Sequence, residues 1–462
     1  MNIQQIMQSI KRPKQITNRE QLIEFLGTSK DAFEQFNQAY ERIVNADPIQ
    51  KEYAATGPQS QSEYIKTIVS RIVSELCGQT KITTVKNHEI HVSRPTLPNG
   101  DTSVSLDEVN QIPPEIRPSL TGTAFQVDTS HNTWEAPMWL YKQFCETGDP
   151  RYYHHFRQGL DILDLDEILY AVLGQNPNSM EHWLPQAAQA AWKSRSFRIP
   201  NTTFVQVPLP VLQMSRLQYE KLNRTTLDII DQWAEQVFNL QTANDYFVKT
   251  GVFSSKFDFR NAHVPSGPEV LELGEYLICI ANQASQMAGP FMTTSIYGAA
   301  TSRTWAVREW IPDKENNPTI YRGLPLRTEY RCFVDFDTNE LLCVAPYWDP
   351  DTMKRRFGHS SDSDEPDMQH DYIIYSLHEK TLMERFEAHK SDIATRMQSF
   401  IDTNAELNGL TGQWSVDVME NGSDYYLIDM ATADTSALSH YVPKGRLRTT
   451  KIDWRPQLTR ND

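Results

Sequence analysis

The sequence has few cysteines and no long apolar run. Five cysteines are scattered over 462 residues, an odd number without the paired spacing of a disulfide framework or a zinc knuckle. No segment approaches the ~20 consecutive apolar residues that span a bilayer, and the polar start, MNIQQIMQSIKRPKQITNRE, lacks the apolar core of a signal peptide. These absences predict a cytoplasmic protein without a membrane partner.

Positive charge is also scarce. Lysine and arginine number 44 against 59 aspartates and glutamates, which leaves a net charge of −15. Nucleic-acid binding needs clustered cations that neutralise phosphates, so the composition disfavours a nucleic-acid partner. A local basic pocket stays open as an alternative.

Several common active-site motifs are missing as well. The sequence contains no G-x-G-x-x-G, no P-loop G-x-x-x-x-G-K, no Ser-His-Asp context and no kinase H-R-D loop. These absences argue against a Rossmann fingerprint, a P-loop site and a protein-kinase reaction.

What the sequence does contain predicts a globular α+β protein. Hydrophobic residues make up 39% and aromatic residues 10%, enough for packed cores, and the length predicts two or three structural units. The stripe Ile65, Ile68, Val69, Ile72, Val73 and Leu76 predicts a packed helix face. The predicted order is a helical N-terminal region 1–93, a proline-rich linker 94–122, a mainly helical region 123–224, an alternating module 225–445 and a tail 446–462.

Strands and helices alternate within the predicted module. Apolar alternation predicts strands in YFVKTGVF, WAVREWI, EYRCFVDF and ELLCVAPY, and helical spacing predicts helices in PEVLELGEYLICIANQA and at 380–401. Ahead of the module, TTFVQVPLPVL predicts an edge strand because of its two prolines. A closing hairpin of WSVDVME and DYYLIDM is expected around Asn421-Gly422, and a surface loop at 358–367.

The hairpin carries two acids that could meet at one end. A turn at Asn421-Gly422 sets Asp417 opposite residue 426, so a bulge or small shift is needed to bring Asp429 alongside it. Two carboxylates after apolar strands are costly to bury alone, and Mg²⁺ would neutralise them while taking phosphate oxygens as further ligands. The alternative is a pair of surface acids on an exposed edge.

Basic residues upstream supply a matching set of cations. Lys249 lies on a predicted strand and Lys256 in the following turn, next to the hydroxyl of Ser255, so the two lysines can reach different phosphates of a nucleoside triphosphate. Arg331 lies on the inner face of a half-buried strand, where a guanidinium requires an anion. Taken singly, each of these cations is also compatible with a solvated surface charge.

The order of these segments resembles the ATP-grasp superfamily, and within it the cell division cycle protein 123 family. The resemblance lies in a strand lysine, a Ser-Ser-Lys turn at 254–256, Val-Arg-Glu-Trp at 307–310, Glu-Tyr-Arg-Cys-Phe-Val at 329–334, and an Asp-Val and Leu-Ile-Asp-Met hairpin. It covers about residues 225–445. The resemblance implies an ATP-grasp fold, in which two α+β lobes hold MgATP between them, preceded by a mainly α-helical N-terminal region.

The resemblance also implies a role for each site residue. Lys249, Lys256 and Ser255 would bind the phosphates of ATP. The backbone of Glu309, Trp310 and Ile311 would form the hinge that meets adenine. Arg331 would bind the terminal phosphate, with Arg331 and Lys256 as the catalytic residues, and Asp417 and Asp429 would bind Mg²⁺.

Two departures from the family pattern weaken the case for turnover. The family's Asn two residues after the second acid is Ala431 here, so a metal ligand is missing unless Thr432 or Asp434 replaces it, and the proline of the Ser-Ser-Pro-Lys motif is absent. The resemblance leads to two expectations. The first is an ATP-dependent carboxylate-amine ligase with an acyl-phosphate intermediate, acting on a carboxylate and an amine that are unknown. The alternative is a non-catalytic ATP-binding assembly factor or chaperone for a protein partner.

Overall fold

The structure is a computed structural model of the chain. It describes residues 58–95, 104, 108–109, 111–113, 116–117, 170, 173–174, 176–215, 222–287, 302–358 and 366–450. Three stretches lie outside these residues: 1–57 of the predicted helical N-terminal region, most of the predicted linker, and 123–169 of the predicted mainly helical region. The predicted division into domains stays a prediction.

Helices and strands alternate along the described residues. The helices are α1 Pro58–Gln79, α2 Met180–Ser194, α3 Leu209–Met214, α4 Arg224–Phe238, α5 Leu273–Met287, α6 Pro350–Gly358 and α7 Pro366–Glu406. The strands are β1 Lys81–Lys86, β2 Glu89–Ser93, β3 Thr202–Gln206, β4 Tyr246–Thr250, β5 His263–Val264, β6 Thr304–Glu309, β7 Thr319–Ile320, β8 Leu324–Pro325, β9 Glu329–Asp335, β10 Glu340–Pro346, β11 Gln413–Asn421 and β12 Asp424–Thr432. Helices combined with antiparallel sheets confirm the predicted α+β class. None of the described helices has both the length and the apolar character needed to cross a membrane.

The first sheet, sheet A, has the order β2-β1-β3-β6-β4-β5 with antiparallel pairs. Strand β3 lies inside it, paired with β1 on one side and β6 on the other, so the predicted edge position is wrong. The strand ends at Gln206, and its two prolines follow it, where Pro208 precedes α3 and Pro210 lies in its first turn. Neither proline therefore interrupts the hydrogen-bond ladder.

Residues 81–93 form a hairpin of sheet A, so the predicted helical character of region 1–93 is wrong there. The segment KITTVKNHEIHVS alternates β-branched residues with polar ones, which is a strand period. Asn87 takes the left-handed conformation at the turn, with φ of 58°, a conformation that asparagine tolerates better than most residues. The predicted apolar stripe from Ile65 to Leu76 does lie on a helix, α1.

The second sheet, sheet B, has the order β10-β9-β11-β12. Its hairpin β11-β12 turns through Gly422-Ser423, one residue later than predicted, with Asn421 paired to Asp424. Gly422 takes a φ of 66°, which fits the first position of a two-residue hairpin turn where glycine is favoured. The predicted hairpin is confirmed and its turn centre was wrong by one residue.

Two large apolar cores pack against the sheets, and a smaller one surrounds Trp348. Helices α1, α4 and α5 cover sheet A with Trp233 and Trp305 at the centre of one core. The other core contains α2, α7 and sheet B, together with Val85, Phe204 and Ala306 of sheet A. Helix α7 is longer than the predicted 380–401 because it begins at Pro366, a residue that the first turn of a helix accepts, and buries Tyr375 against the core around Trp348. The second core therefore joins the two sheets, which also line a common cleft.

Candidate functional site

The cleft is lined from both sheets. Strands β4 and β6 of sheet A contribute Lys249 and Arg308, and β9, β11 and β12 of sheet B contribute Glu329, Asp417 and Asp429. The residues from sheet A and those from sheet B are brought to one place by the approach of the two sheets. The cleft is therefore a product of tertiary structure.

Lys249 is a buried cation paired with Asp429. Its Nζ donates to Asp429 Oδ1 at 2.9 Å, and its side chain is 1% exposed. Burial lowers the pKa of Lys249, and the Asp429 carboxylate opposes that shift. The geometry excludes the alternative of a solvated surface lysine.

Arg331 and Asp417 form a two-pronged ion pair beside the first. Arg331 Nε lies 2.8 Å from Asp417 Oδ1, and Nη2 lies 2.7 Å from Oδ2. Burial by itself lowers the pKa of Arg331, but the adjacent Asp417 outweighs it and raises the pKa above its usual value. The guanidinium lies 4.9 Å from the centre of the Tyr347 ring, so an aromatic face covers it.

Lys256 reaches the same ring from the turn after β4. It begins the 3-10 helix Lys256–Asn261, donates from Nζ to the Tyr347 hydroxyl, and lies 4.7 Å from the Tyr347 ring centre. Burial, together with the nearby Arg331, lowers the pKa of Lys256 to about 8. The Ser255 hydroxyl instead donates to Gln283 Oε1 of α5 at 2.6 Å, whereas its neighbour Ser254 lines the cleft.

The segment Glu309, Trp310 and Ile311 forms the other end of the cleft. The Trp310 ring stacks on His263 with centres 4.2 Å apart, and Phe259 lies near both rings. The amide of Glu309 donates to the Asn201 carbonyl at 2.9 Å, which holds the segment at the end of β6. This end is aromatic, while the lysine end is charged.

The structure adds two buried charged residues that were missing from the predicted site. Arg308 lies on β6 and is 4% exposed, and Glu329 lies on β9 and is 9% exposed. Burial raises the pKa of Glu329 to about 7, with a further contribution from Asp417 and an opposing one from Lys256. Strand periodicity was the available signal, because Glu329 shares a strand face with Arg331 two residues on.

The two acids of the hairpin are direct neighbours. A register shift between Asp417 and Val418 pairs Asp417 with Asp429, as the sequence required for the acids to converge. A Mg²⁺ ion commonly takes one or two protein carboxylates and completes its coordination shell with phosphate oxygens and water. Two adjacent carboxylates suit that arrangement.

A metal held by the protein alone has less support. Among the described residues, no group of three histidine, cysteine or acidic side chains is arranged to hold a metal. Asp434 accepts from the amide and hydroxyl of Thr450, both at 2.8 Å, and the hydroxyls of Thr432 and Thr435 bond each other at 2.8 Å. Thr432 and Asp434, the two residues that could replace a ligand at position 431, are thus both engaged by other protein groups.

No family model and no curated protein matches the chain. Among solved structures, Cdc123 from Schizosaccharomyces pombe matches with a TM-score of 0.31 and 12% identity, over 59% of this chain and 94% of that chain. Its C-terminally truncated form matches with a TM-score of 0.31 and 13% identity, over 56% of this chain and 85% of that chain. Because these TM-scores are low, the function of this chain is argued from the geometry of the cleft alone.

Proposed function

We propose that this cleft binds ATP together with Mg²⁺, in the manner of an ATP-grasp site between two α+β lobes. One observation carries the proposal. Lys249 and Asp429, 180 residues apart in the chain, are in contact within one cleft that also holds Lys256 and Asp417. Cations from the middle of the chain and acids from its end thus face a common space.

The charges of the cleft suit a polyphosphate with a divalent cation. Buried ions are unfavourable unless each has a partner, and here Lys249 is paired with Asp429 and Arg331 with Asp417. A triphosphate would take Lys249, Lys256 and Arg331 as cationic partners, while Asp417 and Asp429 would hold the Mg²⁺. Every buried charge would keep a counter-ion in such a complex.

The aromatic end of the cleft suits a purine base. Phe259, Trp310 and Met419 give apolar surface there, and the backbone of Glu309, Trp310 and Ile311 runs along the cleft wall. A base against such a wall needs only apolar contact and a few polar groups to fix its orientation. The phosphates of a nucleotide bound in this way would extend toward the lysines.

The reaction expected of this arrangement is carboxylate-amine ligation. The terminal phosphoryl group would pass from ATP to a carboxylate oxygen, releasing ADP, and an amine would then displace phosphate from the acyl carbon to leave an amide. Arg331 and Lys256 would stabilise the charge on the transferred group by placement and electrostatics. Mg²⁺ would supply further neutralisation of that charge.

One observation favours the second candidate, a non-catalytic ATP-binding assembly factor. Ala431 offers no ligand where the resembled family has an asparagine, and Thr432 and Asp434 are engaged elsewhere. A metal with two protein ligands is held less firmly, which is adequate for binding but poor for positioning a phosphoryl group.

Calorimetric titration with ATP, in Mg²⁺ and then in a chelator, tests the proposal directly. We expect saturable binding that Mg²⁺ strengthens. Release of ADP only when mixed carboxylates and amines are added supports ligation, and binding without turnover supports the assembly factor. Absence of ATP binding under both conditions would contradict the proposed function.

A further inference from the structure

Arg308 is a buried arginine whose hydrogen-bonding capacity is only partly used. Its Nη1 donates to the Ile428 carbonyl of β12, whereas Nε and Nη2 have no acceptor within the described residues. The residue is 4% exposed and lines the cleft. A buried guanidinium with two unsatisfied donors is unfavourable, and an anion placed against it would satisfy both.

The local charge balance points to an anion as well. Arg308 and Lys249 are buried cations close to Asp429, and the next acid near Lys249, Asp417, is held on both oxygens by Arg331. Asp429 already accepts from Lys249 and from its own strand at Met430. Arg308 is therefore left without an acid in hydrogen-bond contact at this wall of the cleft.

The register of sheet A gives the position of Arg308 relative to a bound nucleotide. Arg308 pairs with Phe247 on β4, whereas Lys249 pairs with Ala306. Arg308 is thus two residues, roughly 7 Å, nearer the end of β6 than the pairing level of Lys249. It directly precedes Glu309, Trp310 and Ile311, the segment proposed to meet the base.

We propose that Arg308 binds the phosphate closest to the nucleoside, a role that rests on the proposed function of the cleft. Arg331 lies two residues along β9 from Glu329, the partner of Met419 at the base end, and Lys256 contacts the same Tyr347 ring as Arg331. Lys256 and Arg331 would therefore serve the outer phosphates. Arg308 then contributes to the binding of every adenine nucleotide, including the monophosphate, but not of adenosine. Lys256 contributes mainly to the binding of the triphosphate.

A rival role for Arg308 is structural. The bond to the Ile428 carbonyl ties sheet A to β12 of sheet B. In that case its loss lowers the stability of the protein and leaves the ranking of ligands unchanged. The two roles are therefore separable by comparing ligands that differ only in phosphate number.

The experiment compares dissociation constants of adenosine, AMP, ADP and ATP for the wild type, Arg308→Gln and Lys256→Met. For Arg308→Gln we expect about a tenfold or greater loss for all three nucleotides, by similar factors, and no change for adenosine. Lys256→Met should weaken ATP more than AMP. Arg303→Gln is the matched control, because Arg303 precedes the same strand, pairs with Glu181 and does not line the cleft.

Any other result for the AMP affinity of Arg308→Gln contradicts the proposed role of Arg308. Equal affinities of the wild type and Arg308→Gln for AMP overturn the role of Arg308 while leaving ATP binding intact. If Arg308→Gln does not fold, Arg308→Lys replaces it, since that variant keeps the charge but loses the two-pronged donor; unchanged AMP affinity then overturns the role.

Failure of the wild type to bind any nucleotide contradicts the proposed function, and titration with pyrophosphate then decides the anion role alone. Tighter pyrophosphate binding by the wild type than by Arg308→Gln supports that role. Equal binding, or none by either protein, overturns it.

Discussion

At the residue scale, Lys249 is a cation that is buried and paired with a single acid. Its Nζ is enclosed and bonded to Asp429 at 2.9 Å, so it has one protein partner in place of many waters. A cation in this position binds strongly to any anion that takes over from the carboxylate. Its contribution to affinity is therefore measurable by removing the charge alone.

The variant Lys249→Met removes the charge and keeps the apolar length of the side chain. We expect ATP affinity to fall by about 1 to 3 kcal/mol, the range for losing a hydrogen bond to a charged group. Calorimetric titration measures the change, with Lys380→Met as the control because Lys380 is 85% exposed. An affinity equal to that of the wild type would remove Lys249 from the phosphate site.

The variant Asp429→Asn removes a proposed metal ligand while retaining an oxygen that can accept from Lys249. We expect ATP binding to lose its response to Mg²⁺, because one carboxylate remains where two are needed. Binding isotherms with and without Mg²⁺ give the result. Asp434→Asn is the control, since Asp434 holds Thr450 instead. Retention of the Mg²⁺ response in Asp429→Asn would contradict the metal assignment.

At the scale of elements, helices α4 and α5 meet at a buried acid. Asp231 of α4 accepts from the Glu275 amide of α5 at 3.2 Å, and a Cβ added at Gly274 would lie 2.7 Å from Asp231 Oδ1. Burial, with a further contribution from Glu275, raises the pKa of Asp231 from 3.8 to about 7. Burial at this helix contact therefore favours the protonated, uncharged form of the Asp231 carboxyl group.

This acid predicts a pH dependence of stability. Because the pKa of Asp231 is higher in the folded state than in the unfolded state, the folded protein binds the extra proton between about pH 4 and pH 7. The contribution of Asp231 to the free energy of unfolding therefore falls as pH rises through this window. Asp231→Asn should lose less stability than the wild type between pH 5 and pH 8, as measured by urea unfolding.

The control for that measurement is Asp228→Asn. Asp228 lies on the same helix, is 44% exposed and pairs with Arg224. It should follow the wild type across the pH range. A pH response of Asp231→Asn identical to that of the wild type would show that Asp231 is not the buried acid responsible.

At the scale of the whole molecule, the cleft is lined by two sheets that also share part of a core. A ligand that contacts both sheets stabilises their approach, and binding to the folded state alone adds about 2.7 kcal/mol at a hundredfold excess over Kd. We expect MgATP to raise the Tm and adenosine to raise it less, since adenosine contacts none of the phosphate-binding residues. Differential scanning calorimetry measures both. An unchanged Tm at saturating MgATP would contradict the joining of the sheets by the nucleotide.

Local patterns predicted much of this architecture correctly. The strand at EYRCFVDF and the hairpin ending in DYYLIDM follow from apolar alternation and a glycine-containing turn, both of which act within a few residues. The interior position of β3 was not predictable in this way. Prolines indicate where hydrogen bonding stops, but they do not reveal which strands lie on either side.

Some residues of the candidate site were also predictable from local patterns, and others were not. The sequence predicted four charged residues of the site, because a charged residue inside an apolar strand requires a counter-ion. They are Lys249, Arg331, Asp417 and Asp429. Arg308 was overlooked, although Val-Arg-Glu-Trp was recognised as a motif. Its lack of an acceptor for Nε and Nη2 exists only when β6 and β12 are side by side.

The sequence by itself determined the α+β character of the chain, the closing hairpin and the identity of most charged residues in the cleft. Each of these depends on interactions between residues near one another in the chain. The tertiary structure alone decided that Lys249 meets Asp429, that Arg331 meets Asp417 and that Arg308 is left with open donors. The contacts of Lys249 and Arg308 depend on how the two sheets approach each other, and the Arg331–Asp417 pair depends on the pairing of β9 with β11 within sheet B. No local pattern encodes either of these.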